Sequence, residues 1–181
     1  MKTRILTLTL LSLMTIFGAN VSAQRTTNSE SYGHVFNLGL GIGGYSGYYG
    51  YIGHTLPVLS LNYEFDVANS FTLAPFVTFY SYHDNKYHYR QTVIPIGVKG
   101  SYYFDKLLQA RSNWDFYLAG SLGFSVVKST WDDGYYRQTD YSDASPLFLD
   151  LHIGTEYHFN SRIGAFLDLS TGVSTIGLAF H

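Results

Sequence analysis

The stretch HVFNLGLGIG, residues 34–43, puts Phe36, Leu38, Leu40 and Ile42 on one face of a strand and Asn37, Gly39 and Gly41 on the other. Alternation of this kind marks a strand between two unlike surroundings. Here the second face has almost no bulk. A water-soluble β-protein packs large apolar side chains inside. This pattern implies the reverse, with oil outside and small or polar groups inside, as in a transmembrane β-barrel.

Seven further segments alternate in the same way. The predicted spans are 33–43, 56–66, 71–82, 92–104, 114–127, 147–159, 163–171 and 175–181. Most are near the nine to eleven residues, roughly, of a tilted bilayer crossing. The outward parity carries Leu38, Leu59, Val77, Ile96, Leu118 and Leu149, among others, and no charge. The inward parity carries Glu64, Lys99, Asp115, Asp150, His152, Glu156, His158 and Asp168, together with Gly39, Asn62 and Ser121. A charge facing lipid at mid-membrane costs about 2–4 kcal/mol, which gives this segregation its cause. Lys99 is the single inward cation of these spans. A buried ammonium needs a partner, and depth along the strands favours Glu156 or Asp168. The expected fold is all-β: an eight-stranded antiparallel up-and-down transmembrane barrel.

The connections are expected to alternate as well. Those after strands two, four and six are fairly short. Those after strands one, three and five read as longer loops rich in Tyr and Gly: 43–54, 82–90 and 128–145. Short turns belong to the periplasmic side of such barrels and long loops to the outside. Both termini are therefore expected in the periplasm and the long loops outside the cell. Aromatic residues of outward parity gather at the short-turn ends: Tyr63, Phe65, Phe71, Tyr102, Phe104, Trp114, Tyr157, Phe159 and Phe180. Aromatic rings prefer the headgroup level, so these form an expected girdle.

Residues 1–23 read as a secretory signal. Lys2 and Arg4 precede an apolar run, and Val21-Ser22-Ala23 offers small residues for cleavage. Residues 24–31 form a polar leader, and 32–181 the barrel. Charged residues are only 13% of the chain, against about 25% in an ordinary soluble domain. The formal net charge is −2, so no electrostatic case exists for nucleic acid. No later helical run of about 18 apolar residues follows the signal. The absence of cysteine excludes a lipid-anchored amino terminus, a disulfide framework and a thiolate metal site.

IPIGVKGSYYF (residues 94–104), WDFYLAGSLGFS (114–125) and the closing IGLAFH (176–181) resemble the small eight-stranded outer-membrane barrels of Gram-negative bacteria, the OmpA/OmpX-like superfamily. The resemblance covers residues 32–181. It implies residence in the bacterial outer membrane among lipid and lipopolysaccharide. It also implies handling by the barrel-assembly machinery, which reads a terminal aromatic. Here Phe180 is followed by His181. Some barrels of this kind remove acyl chains from lipid A with a lipid-facing His-x-Ser pair. Ser81 and His83 stand in the reverse order, without a convincing third partner.

Other candidate sites are weighed on their chemistry. The inward charges could form an ion path, making the chain a small channel. Eight strands, however, leave room for little but side chains. Inward Phe76, Tyr80, Tyr103, Tyr117, Phe148 and Phe166 would fill much of it. His83, Asp84 and His88 could ligate a metal, but their spacing matches no established site. A soluble lipocalin-like barrel would need an apolar interior. Candidate binding residues of the loops are Tyr45, Tyr48, Tyr49, Tyr51, Tyr87, Tyr89, Trp131, Tyr135 and Tyr136, because Tyr gives contact area at low entropic cost. They suit an outer-membrane protein partner, lipopolysaccharide or a host molecule, and equally an interfacial belt on solvated loops. The expected role is structural or loop-mediated binding, with no enzymatic activity, no cofactor and no open pore.

Overall fold

The computed structural model describes residues 31–43, 57–84, 88–108, 113–131 and 147–181. Eight strands close into one barrel in which each pairs with its sequence neighbours and the last pairs with the first. They are β1 (Val35–Gly43), β2 (Val58–Ala68), β3 (Phe71–Asp84), β4 (Tyr89–Tyr103), β5 (Trp114–Trp131), β6 (Leu147–His158), β7 (Ile163–Ser170) and β8 (Val173–Phe180). Every pairing is antiparallel. The seam is Phe36 opposite Phe180 and Leu40 opposite Ile176. Closure removes every sheet edge, so the strand backbone is satisfied without water.

The fold is inside out relative to a soluble protein. Leu149 is 66% exposed and Leu118 53%, whereas Glu64 and Asp168 are each 3% exposed. Leu38, Leu59, Val77 and Ile96 also face out. An apolar mantle around a polar core is the transmembrane arrangement.

Three corrections apply to the predicted elements. β3 runs to Asp84 and β4 starts at Tyr89, so the supposed long loop 82–90 is mostly a strand hairpin. Tyr89 is therefore a strand residue. β5 runs on through Lys128 to Trp131, and Trp131 ends a strand instead of lying in a loop. β5 has 18 residues, where a crossing needs only about 9–11. These extensions pass beyond the apolar band. There the outward face becomes Ser81, His83, Arg90, Thr92, Lys128 and Thr130, and the apolar alternation stops. The third correction is β8, which starts at Val173 and leaves Thr171 and Gly172 as the turn. A short helix α1 (Asp105–Leu108) lies between β4 and β5. The signal segment and most of the leader lie outside the described residues, as do Tyr45, Tyr48, Tyr49, Tyr51, Tyr87, Tyr135 and Tyr136.

Inside, large rings lie directly opposite glycines on the next strand. Phe76 faces Gly97, Gly97 faces Gly123, and Gly123 faces Phe148. The two rings meet over the glycine pair with centroids 6.1 Å apart. Tyr117 faces Gly154, where an added Cβ would sit 2.2 Å from the ring. The glycines thus make the space that lets a narrow lumen hold rings.

Candidate functional site

The inward polar residues form three groups, each centred on a carboxylate. The first is Glu64 on β2. Thr72 of β3 donates to it, Tyr103 of β4 donates at 2.8 Å, and Asn37 of β1 donates at 3.4 Å. The second is Asp168 on β7. Lys99 reaches it from β4 at 3.2 Å, Tyr117 from β5 at 2.8 Å, and His152 Nδ1 from β6 at 2.7 Å. Of the two carboxylates favoured for Lys99, Asp168 is the one within salt-bridge distance. The Lys99 ammonium also lies 5.0 Å from the Tyr117 ring centroid, close enough for cation–π attraction.

The third group lies at the terminal rim, where β1 starts and β8 ends. Glu156 Oε1 is 2.7 Å from His181 Nε2 and 3.8 Å from His158 Nδ1. His158 Nε2 in turn is 2.7 Å from Asp115 Oδ2. Glu156 is thus engaged at the rim and not by Lys99. Asp150 stands apart at the other end, where Thr171 donates to it at 3.1 Å.

Sequence reasoning missed Tyr32, Asp105 and His181. Tyr32 turns in beneath the barrel, stacks on Tyr103 at 4.2 Å and donates to Asp105 at 3.0 Å. Its backbone N–H and that of Gly33 both bind Asp66 Oδ1. Tyr32, Tyr103 and Tyr117 then form a column of rings at this end. His181 follows an outward Phe180, so strand parity alone would have turned it inward.

The girdle positions sit around this same rim. Trp114 and Tyr157 are 4.8 Å apart, and Tyr157 and Phe159 are 5.5 Å apart. Phe116 extends the arc between Trp114 and Phe104. Phe71 pairs with Tyr102, Tyr63 and Phe180 flank Phe36, and Phe65 pairs with Leu73. Ser81 accepts from Thr92 at 3.3 Å. His83 lies exposed in β3, Asp84 ends that strand, and His88 lies in the turn with φ of 54°.

One constellation inside the lumen has the connectivity of a hydrolytic triad. Ser121 Oγ is 2.9 Å from His152 Nε2, and His152 Nδ1 is 2.7 Å from Asp168 Oδ1. A triad also needs a reachable nucleophile and donors for an oxyanion. Ser121 is 2% exposed. Its strand is paired on both sides, to Lys99 and to Asp150. The cavity beside it, lined also by Phe76, Lys99 and Phe166, has a volume of about 30 Å³. That holds a water or two, and no acyl chain.

No protein-family model matches the chain, and no curated protein matches it. Solved structures do. Neisserial surface protein A (NspA) superposes with a TM-score of 0.57 at 15% identity, covering 83% of this chain and 98% of that one. A de novo designed transmembrane β-barrel gives 0.51 at 9% identity, covering 84% and 98%. The Yersinia pestis outer membrane protein Ail gives 0.32 at 14% identity, covering 81% and 98%. A natural surface protein and an idealised design share this fold, so the class is settled at the level of fold: an eight-stranded transmembrane β-barrel.

Proposed function

We propose that the chain is an integral protein of the bacterial outer membrane with a sealed lumen, and that it acts as a structural element or as a platform for its connecting loops. The observation that carries this reading is the lumen itself. Carboxylate-centred groups and ring–glycine pairs crowd the described part of the lumen, and the cavity beside Lys99 and Asp168 has a volume of about 30 Å³, room for a water or two. Insertion with the termini in the periplasm is supported by the short connections at the terminal rim, residues 69–70 after β2 and 159–162 after β6. Polar extensions of β3, β4 and β5 at the opposite rim support the same orientation. Partners of the loops would be lipopolysaccharide or another outer-membrane protein. Catalysis is no part of the reading, because Ser121 of the Ser121–His152–Asp168 set is buried beside a cavity of water size.

The test is conductance. Pure protein refolded into planar bilayers should show no steady current. Reproducible size-selective permeation would overturn the sealed-lumen reading and make the inward carboxylates a pathway.

A further inference from the structure

We infer that Glu156, His158 and His181 form a binding site for a divalent transition cation of the zinc class at the terminal rim. Three candidate ligand atoms, Glu156 Oε1, His158 Nδ1 and His181 Nε2, lie within 4.8 Å of one another. Around a tetrahedral zinc with bonds near 2.0–2.1 Å, ligand atoms sit about 3.3 Å apart. The two separations from Glu156 Oε1, 2.7 and 3.8 Å, bracket that value, and the imidazole nitrogens lie within 4.8 Å of each other. Small side-chain rotations would therefore suffice.

The surroundings are those of a ligand site more than of an ordinary ion pair. The His158 ring is used at both nitrogens: Nε2 faces Asp115 Oδ2 at 2.7 Å, and Nδ1 faces the Glu156 side. A carboxylate on the far nitrogen orients the ring and sets the tautomer in which the near nitrogen can ligate a metal. Glu156 and His158 share the inward face of β6 because they are two residues apart. The Glu156 carboxylate lies against Gly164, where an added Cβ would come within 2.4 Å of Oε1. His181 is held by its backbone, whose N–H donates to Arg162 O at 2.9 Å. Its ring stands 4.8 Å from that of His158.

Two imidazoles and one carboxylate select against calcium and magnesium, which take oxygen ligands, and suit zinc, nickel or copper. Three protein ligands at an exposed rim leave a fourth position for water. Glu156 and His158 come from β6, and His181 follows β8, which seals the barrel against β1. A bound cation would tie these elements together across β7.

The experiment uses full-length protein without a histidine tag, folded in detergent and titrated with Zn²⁺ by calorimetry. Co²⁺ absorption serves as a spectroscopic readout of coordination. One equivalent should bind. His181→Ala and His158→Ala should each weaken binding at least about tenfold and abolish the Co²⁺ spectrum, and Asp115→Asn should weaken it by about tenfold. His34→Ala and His83→Ala should change nothing. Absence of binding, or Zn²⁺ affinity unchanged in His181→Ala, would overturn the proposal. His181 lies at the rim beyond the strands, so that variant keeps the test decisive even if His158→Ala fails to fold.

Discussion

Lys99→Met removes the one cation bound to Asp168. The two groups are 3.2 Å apart, with side chains only 10% and 5% exposed. Breaking a buried pair by deleting one partner costs about 3–5 kcal/mol, because the other charge stays buried. Asp168 keeps two further partners, Tyr117 at 2.8 Å and His152 at 2.7 Å. The loss should therefore fall at the low end, near 3 kcal/mol. By the scaling of soluble domains this lowers the melting temperature by about 6–12 °C. The assay is the temperature at which the detergent-folded barrel loses its gel-shifted form. The sign of the pH effect follows from proton uptake. Without Lys99, the folded state can neutralise the orphaned cluster only by binding a proton. A folded state that binds more protons than the parent gains relative stability as pH falls. The deficit should thus be largest near pH 7 and shrink toward about pH 4, where carboxylates ordinarily begin to protonate. Asp168→Asn alone should also destabilise, by stranding Lys99. The double variant should recover part of the loss, since neither charge remains. If Lys99→Met melts like the parent at both pH values, the pair does not hold the barrel, and the interior charges are solvated.

Gly154→Ala places a Cβ 2.2 Å from the Tyr117 ring and should cost about 1–3 kcal/mol as overpacking. Gly120→Ala points outward with its nearest neighbour at 3.9 Å and should be nearly neutral; equal urea midpoints for the two would refute the ring–glycine account. Tyr32→Ala should lose roughly 2 kcal/mol through the stacked ring and the bond to Asp105, read as a lower urea midpoint, and an unchanged midpoint would mean that the Tyr32 contacts do not stabilise this end. Single cysteines at Leu38, Val77 and Leu149 should react with a membrane-soluble probe, and cysteines at Asn62 and Ser121 should not.

Parity was legible in the sequence because a charge on the lipid face is costly at every strand. Leu38, Leu118 and Leu149 declare one face, and Glu64, Lys99 and Asp168 the other. The strand ends were less legible for the same reason. Past Tyr82, Thr92 and Val127 the outward face leaves the apolar band, so His83, Arg90 and Lys128 carry no lipid signal and read as loop. Tyr32 could not be read at all, since a lone aromatic before the first strand has no period. The choice of Asp168 over Glu156 for Lys99 depends on strand stagger across the lumen, which depth counting along single strands does not contain. The rim group of Glu156, His158 and His181 exists only once β7 pairs with both β6 and β8.

The interior groups also answer a question of register that lipid cannot. A one-residue slip between two strands would turn an inward charge toward the membrane, at about 2–4 kcal/mol for a cation such as Lys99 near the midplane and less for Asp168 or Glu64. A slip of two residues keeps every parity and is invisible to the lipid. Such a slip of β6 against β5 would bring His152 or Glu156 opposite Tyr117 in place of Gly154, where neither leaves room for the ring. It would also move His152 away from Ser121, now at 2.9 Å, and shift the Asp115 contact with His158, now at 2.7 Å. Lipid exclusion therefore selects the face of each residue, while ring–glycine pairs and carboxylate groups select its height. The two constraints are independent, and together they specify one barrel. That is a physical reason for a lumen crowded with polar groups in a chain whose outer surface is nearly uniform.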